Sequence, residues 1–515
     1  MTMTATDAAN SSGDAGQSAT RNPFVEMSSV ARASLAFFFL FWRIIPLCAQ
    51  LTTQIDSNVA FYLVRVICDI LTECLLVLPI LMPRFLGTRT GWLHPLILPA
   101  LVSTALGVLR APQTLLSPFT AWFTPIHEVT HDLFSGHPTE ILMQAQAKLS
   151  GMTLLSVLSI YIGFAVFRIA QGNGPRSADR QIDATRFLIV LTIFFLIVLF
   201  FLQTQGGVLA HMSNLSGGRF RARQLSGPFL VVNAFLPYML ILWYLFRPKS
   251  MRNPLFIAGF VLVCILQFIM TGSRSGLFIP FALLLTAWMM VTHKVPAVRI
   301  LVLAIMSMLL VGVLGELRRS GRDGSVDTTL LRMNLGEARE LAEAELEGRS
   351  VGADVAVFVA VPRQVDHLWG ATYVAAAAFW VPRFIWSGKP RGAGAYTEAM
   401  IYRGLDTMDG YEGGGTPSGA VAEAYWNFSV SGVIFVFGLF GGILRVTGDL
   451  FARKQADPFL GVVFLAVVFR MSDPSTVKIV GMLQSLAMLG FVWLFITVRR
   501  PVRNRGAQET GQGVE

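Results

Sequence analysis

Cationic side chains concentrate in three connecting segments of this 515-residue chain, each lying between apolar runs. The candidate site residues among these cations are Arg219, Arg221, Arg223, Arg274, Arg383 and Lys389. Guanidinium forks bind phosphate oxygens in a bidentate manner, so these residues favour an anion-binding site. The alternative is that long loops cross a membrane regardless of charge. That alternative covers the segment around Arg383, but it fits the short Gly-Ser-Arg-Ser-Gly link around Arg274 poorly.

One carboxylate, Glu423, follows a Gly-rich turn in an otherwise apolar stretch, and Tyr425 lies two residues later. The sequence TPSG at 416–419 predicts a turn and the start of a helix. A carboxylate partly removed from water is more basic, so Glu423 is a candidate to take a proton from a sugar hydroxyl. The alternative is that Glu423 only supports the helix N-terminus. The sequence leaves both roles open.

A second motif, HEVTH at 127–131, matches H-E-x-x-H. That chemistry needs His127 and His131 on a zinc ion and Glu128 as the base. Pro125 lies just before the motif and no convincing third ligand follows, so a membrane metalloprotease is kept only as a remote alternative. The four cysteines lie in apolar segments without C-x-x-C spacing, and no metal site or cofactor is expected.

Ionisable residues also recur every fourth position in one apolar segment, as Arg65, Asp69 and Glu73. They share a helix face and can neutralise one another. Ionisable groups at membrane depth are candidates for function. An internal ion-pair ladder against neighbouring helices is the favoured interpretation here.

The composition places these residues in a membrane protein. The chain is 54% hydrophobic and 14% charged, with a mean hydropathy of +0.59. The net charge of +10 does not indicate nucleic-acid binding, because the basic residues fall mostly in short loops where membrane topology explains them. Residues 1–27 are predicted to be a disordered cytoplasmic tail and 499–515 a second cytoplasmic tail. No cleavable signal is expected, because the apolar run from Ala31 is long enough to remain as a helix.

An all-α fold with about twelve transmembrane helices is predicted from apolar windows of about 20 residues. The expected spans are 31–51, 58–82, 92–110, 151–170, 187–207, 228–247, 254–271, 276–292, 299–315, 430–448, 458–472 and 479–498. Lys and Arg in the short loops place both termini inside. A transmembrane domain would then span 28–498, with a large outer loop at 316–429. Within that loop, 328–347 predicts an amphipathic helix. Residues 371–380 are apolar but too short to span, which predicts an interfacial or re-entrant helix.

The order of these motifs resembles the oligosaccharide repeat unit polymerases, the Wzy-type O-antigen polymerases. The shared pattern is GSRSG between two spans, PRFIWSGKP in a long outer loop, then GGGTPSG, EAYWNF and a Gly-rich span, and it covers roughly 190–450. The HEVTH stretch and the helix expected at 328–347 are not part of it.

The resemblance implies a glycosyltransferase of the bacterial inner membrane. Such enzymes transfer a growing O-antigen or exopolysaccharide chain from undecaprenyl pyrophosphate to another lipid-linked repeat unit, at the periplasmic face and with inversion. Arg274 and Glu423 would be catalytic, the latter as the base. Arg219, Arg221, Arg223, Arg383, Lys389 and Tyr425 would bind substrate. A chain-length regulator is an expected partner. An O-antigen ligase and a lipid-linked glycan flippase or transporter are the alternatives.

Overall fold

The computed structural model describes most of the expected helical segments. The described residues are 24–45, 47–48, 59–99, 101, 139–168, 180–208, 210–211, 227–271, 274–295, 352–408, 411, 415–453, 457–471 and 473–499. Several predicted features lie outside them. These are the arginines Arg219, Arg221 and Arg223, the HEVTH stretch, the span expected at 299–315 and the helix expected at 328–347.

The described part of the chain is mostly helical, with two short antiparallel ribbons. The helices are α1 (Ser29–Phe39), α2 (Val59–Leu81), α3 (Thr139–Val166), α4 (Ala184–Thr204), α5 (Gly227–Phe246), α6 (Pro254–Thr271), α7 (Arg274–Thr292), α8 (Gly352–Ala360), α9 (Ala371–Ala377), α10 (Ala393–Tyr396), α11 (Ala420–Arg453), α12 (Pro458–Arg470) and α13 (Thr476–Ile496). The strands are β1 (Arg84–Phe85), β2 (Thr88–Arg89), β3 (Arg180–Ile182) and β4 (Thr497–Arg499). β1 pairs with β2, and β3 pairs with β4.

Six of the described helices are long and apolar enough to cross a membrane: α3, α4, α5, α6, α11 and α13. Shorter apolar helices occur at Ser29–Phe39, Phe278–Thr292 and Pro458–Arg470. Each of these overlaps a span expected from the sequence. The chain is therefore a multi-pass, mostly helical membrane protein.

Two predicted boundaries were wrong. α3 begins at Thr139 rather than at 151, because its first turns hold good helix formers whose polar side chains depress the apolar window. The expected tail at 1–27 also ends too late. Phe24, Val25 and Met27 are buried, and the carbonyls of Phe24 and Val25 accept hydrogen bonds from residues 93 and 92. Four residues assigned to the tail thus belong to the folded part.

The predicted ladder on α2 forms in part. Arg65 Nε lies 3.8 Å from Asp69 Oδ2, and Arg65 Nη1 donates to Gln146 Oε1 of α3 at 2.8 Å. Glu73, one turn further, is buried. The ion pair therefore faces a neighbouring helix, as expected for an internal ladder.

The expected outer loop contributes to the protein core. α8 is short, and all of its residues except Asp354 are buried, between α3 and the start of α11. α9 confirms the short helix expected after 371. Because every residue of α8 except Asp354 is apolar, the helix is stable only when it packs among other elements. At least this part of 316–429 is an integral layer of the fold.

α11 is broken near its start. Phe428 and Ser429 have non-helical backbone angles, and Ser429 has a φ of 59° and a ψ of −149°. The carbonyl of Trp426 accepts hydrogen bonds from Leu368 N at 3.0 Å and from His367 Nδ1 at 3.1 Å. These donors satisfy a carbonyl at a helix break, which would otherwise lack a partner. The first two turns of α11 are therefore held by His367 and Leu368, which lie outside the helix.

The ends of the helices define two opposite faces. The β3–β4 ribbon joins the start of α4 to the end of α13. At the other end of α13 lie its first residue, Thr476, and the α8 to α10 region. α13 has 21 residues and is thus about 30 Å long, enough to separate the two faces by a membrane thickness.

Close contact between α3 and α11 depends on glycine. A Cβ at Gly163 would overlap the carbonyl of Gly438, and a Cβ at Gly441 would overlap the carbonyl of Ile160. Small residues let helix backbones approach closely in membranes.

We predict that Gly163→Ala lowers the thermal stability of the detergent-solubilised protein, because the added methyl group forces the two backbones apart, at a cost of about 1–3 kcal/mol. Gly151→Ala on the same helix is the matched control, since a Cβ there meets nothing within 4 Å. Equal melting temperatures for the two variants would contradict the close approach.

Candidate anion-binding cavity

A cavity of about 690 Å³ lies on the face opposite the β3–β4 ribbon. It is formed where the start of α5, the ends of α6 and α12, the start of α13, and the α9 region meet. Its apolar wall includes Leu230, Val231, Phe379, Val477 and Val480. Its polar wall includes Thr372, Thr476, Gln484 and Ser485. The cavity is therefore amphiphilic and has room for part of a large ligand.

Cationic side chains give this cavity its charge. Arg383, Lys389 and Arg470 all line it. Within the described residues, none of the three forms an ion pair with a carboxylate. Arg383 is exposed and Lys389 and Arg470 are partly buried. An anion in the cavity would therefore meet three cations that no described carboxylate neutralises.

Arg470, the last residue of α12, is held in place by neutral groups of α5. Its Nη2 donates to the carbonyl of Ala234 at 2.8 Å, and its guanidinium lies 5.6 Å from the centre of the Tyr238 ring. Its Nε is buried and has no hydrogen-bond partner in the described part of the chain. The side chain is thus oriented, while its charge stays uncompensated.

Arg383 and Lys389 brace the loop that carries them, residues 379–390, which we name the braced loop. Arg383 Nη1 donates to the carbonyl of Lys389 at 2.8 Å, and Nη2 to that of Pro390 at 3.1 Å. Lys389 Nζ donates to the carbonyl of Val381 at 3.0 Å. Partial burial, together with the nearby Arg383 charge, lowers the pKa of Lys389 below its usual value. The two cations therefore shape the loop as well as charging the cavity.

Glu423 lies behind the polar wall, in the first turn of α11, and is 1% exposed. Its Oε1 accepts from Thr476 Oγ1 at 2.5 Å, and its Oε2 accepts from Thr476 N at 3.0 Å. The N-cap residue of α13, Ser475, makes no side-chain capping bond. Glu423 thus supports a helix N-terminus, but that of α13 rather than its own.

The neighbours of Glu423 extend this polar cluster. Asn427 Nδ2 donates to Thr372 Oγ1 at 2.9 Å and to the carbonyl of Glu423 at 2.8 Å. Thr372 and Thr476 reach the cavity, whereas Glu423 does not line it. In this arrangement a ligand in the cavity would meet two hydroxyl groups, with the carboxylate one layer behind them.

Two further carboxylates lie near this cluster. Asp354 of α8 accepts a hydrogen bond from Gly419 N, just before α11 begins. Asp473, just before α13, pairs with Lys478. Burial raises the pKa of Asp354; the Gly419 hydrogen bond opposes this rise and the Asp473 charge adds to it. Both carboxylates hold the starts of helices and neither lines the cavity.

The remaining predicted site residues are spread more widely. Tyr425 is buried outside the cavity lining, where its ring stacks on Phe358 with centroids 4.6 Å apart. Arg274 is the first residue of α7. It follows the cavity-lining Thr271 by three residues, so its backbone lies within about 11 Å of that wall. Gly227, which starts α5, follows the segment containing Arg219, Arg221 and Arg223, which lies outside the described residues.

No described group of His, Cys, Asp and Glu side chains is arranged to hold a metal ion. Comparisons with family models, with curated proteins and with solved structures found no match.

Of the three cations that line the cavity, Arg383 and Lys389 were predicted from the sequence as site residues, and Arg470 was not. Arg470 ends an apolar run and reads as a membrane-flanking residue. The position of Arg470 in the sequence is nevertheless unusual. It is an arginine inside the expected span 458–472, at the end predicted to face outward, where lysine and arginine are less common.

We predict that Glu423→Ala destabilises the protein more than Glu423→Gln. Alanine leaves two buried donors of Thr476 without an acceptor, at about 1–3 kcal/mol each, whereas glutamine keeps one acceptor oxygen. Thermal unfolding in detergent, followed by size-exclusion chromatography, measures the difference. Equal melting temperatures for wild type and Glu423→Ala would show that the bonds to Thr476 do not stabilise the fold.

Proposed function

We propose that this protein is a glycosyltransferase of the bacterial inner membrane that polymerises lipid-linked oligosaccharide repeat units of an O-antigen or exopolysaccharide. Its donor would be a glycan on undecaprenyl pyrophosphate. A chain-length regulator would be its protein partner. The proposal includes twelve spans with both termini inside, which places the cavity on the outer face.

The observation that carries this proposal is the pairing of three cations with an apolar wall in one cavity. A polyprenyl diphosphate has the complementary parts: an anion for Arg383, Lys389 and Arg470, and a hydrocarbon chain for the apolar wall. Charge-assisted hydrogen bonds to each phosphate oxygen contribute about 1.5–3 kcal/mol. Neutral sugars alone would leave the cavity charge uncompensated.

The same cations would assist the chemistry of transfer. The acceptor oxygen forms a bond to the anomeric carbon while the bond from that carbon to the diphosphate oxygen breaks, and the hydroxyl proton passes to the departing diphosphate. Before that proton arrives, negative charge grows on the departing phosphate oxygen. Fixed guanidinium and ammonium groups stabilise that charge in the transition state. Arg274, near the same wall, is proposed to contribute in this way, and Arg219, Arg221 and Arg223 to bind the donor.

Glu423 is proposed to act through Thr476. As the base it would first have to release Thr476, which occupies both carboxylate oxygens. A positioning role needs no such change, because the carboxylate fixes the start of α13 and hence a hydroxyl of the cavity wall. Loss of a general base costs about 10²–10⁴-fold in rate. A loss of less than tenfold in Glu423→Gln at unchanged KM is expected for positioning.

We predict that a deletion strain carrying Arg470→Ala or Arg383→Ala shows a shortened or missing surface-glycan ladder on a gel. Each change removes one charged contact to the diphosphate, which corresponds to about a tenfold to hundredfold loss of rate. Arg252→Ala is the control, because Arg252 is an exposed arginine in the turn after α5, at the end away from the cavity. Membrane levels are equalised by immunoblot.

The pattern of the deletion strain separates the alternatives. Single repeat units that stay attached to the lipid carrier or core indicate a missing polymerase. Loss of all attached glycan would favour the ligase or the flippase. A normal ladder in the deletion strain would exclude the glycan assignment. It would favour the metalloprotease alternative, in which His127 and His131 bind zinc.

A pH profile tests Lys389. Because its pKa is lowered, Lys389 loses its charge at a lower pH than an ordinary lysine, and only the protonated form attracts an anion. We predict that binding of undecaprenyl pyrophosphate to the nanodisc-reconstituted protein weakens as the pH rises from about 7 to 10. Lys389→Arg should remove this dependence, since a guanidinium stays protonated. The same decline in both proteins would assign the titration to another group.

A further inference from the structure

The braced loop exposes large apolar side chains on the side away from the cavity. Phe384 is 88% exposed, Trp380 72% and Ile385 67%. Such side chains, clustered within six residues of one loop, mark a surface that contacts a partner or a lipid phase. The spanning helices do not cover them.

Several backbone groups of this loop have hydrogen-bond partners within the loop, although the segment has no regular structure. The amides of Val381, Ile385, Trp386 and Lys389 donate to carbonyls of residues 378–386. The Arg383 and Lys389 side chains satisfy further carbonyls, at positions 379, 381, 389 and 390. An irregular segment can enter a water-poor region only when its polar backbone groups have partners. The two cations supply partners that water would otherwise provide.

The position of the loop is fixed by the helices. Its inner side, through Phe379 and Arg383, lines the same cavity as Thr271, Arg470 and Thr476. These last three residues end α6, end α12 and begin α13. The loop therefore lies at the level where apolar helices emerge from the hydrocarbon layer. Tryptophan is enriched at that level in membrane proteins, because its ring suits the headgroup region.

From these three observations we infer that residues 380–386 insert into the interface of the bilayer, so that lipid is the surface covering Trp380, Phe384 and Ile385. The braced loop then forms a wall between lipid and cavity, with cations on one side and apolar side chains on the other. This inference depends on the membrane insertion of the chain and not on the reaction proposed for the cavity.

The test uses the full chain in vesicles of pure phospholipid, without glycan or other protein. Cys48, Cys68, Cys74 and Cys264 are replaced by serine or alanine, and an environment-sensitive fluorophore is attached to Phe384→Cys. Quenching is measured with a lipid that carries a nitroxide near the top of its acyl chain, and separately with aqueous iodide. Matched labels are placed at Phe435→Cys, on an exposed side chain within the spanning α11, and at Gln364→Cys, on an exposed polar side chain after α8.

We expect lipid nitroxide to quench the Phe384 label several-fold more than the Gln364 label, and iodide to show the reverse order. The Phe435 label reports whether the protein is inserted in the same preparation, and Ile385→Cys provides a second position in the loop. A Phe384 label that behaves like the Gln364 label, while Phe435 is quenched by lipid, would overturn the inference. It would show that the loop lies in water, outside the bilayer.

Discussion

The contact between the Glu423 carboxylate and Thr476 is the interaction on which the cavity region depends. It links the first turn of α11 to the first turn of α13, through two residues that are 53 positions apart in the chain. Thr372 of α9 joins the same cluster through Asn427. Three short segments thus take their relative positions from one buried carboxylate. A buried carboxylate is tolerated there because both oxygens accept hydrogen bonds and a helix N-terminus carries partial positive charge.

The arginines near the β1–β2 ribbon have different partners from the arginine in the cavity. Near the β1–β2 ribbon, Arg32 is buried. Its guanidinium donates to the carbonyls of Met27, Ile80, Met82 and Thr90. Arg445 pairs with Asp449 at 3.0 Å and donates to the carbonyl of Leu86 at 2.9 Å. These arginines tie chain segments together. In the cavity, by contrast, Arg470 keeps a buried Nε without a described partner. Fixed but uncompensated charge is what a binding site for an anion requires.

Periodicity and apolar length predicted what is local in this fold. The spans with strong apolar runs, the short helix after 371 and the helix starting after Gly419 were found where expected. The failures were non-local. Whether α8 is buried depends on α3 and α11, which lie far from it in sequence. The partner of Glu423 depends on where α13 starts. The importance of Arg470 depends on three other elements meeting at its side chain. None of these can be derived from spacing along the chain.

The break at Phe428 and Ser429 divides α11 into two rods with separate supports. Ser429 adopts a left-handed φ, which costs about 1–3 kcal/mol for a residue other than glycine and persists only where its surroundings hold it. The short rod before the break is held by His367 and Leu368, and the long rod after it packs along α3. Because the helix is not continuous, the short rod does not take its direction from the long one. The geometry around Thr476 therefore has supports of its own, separate from the packing of the long rod on α3.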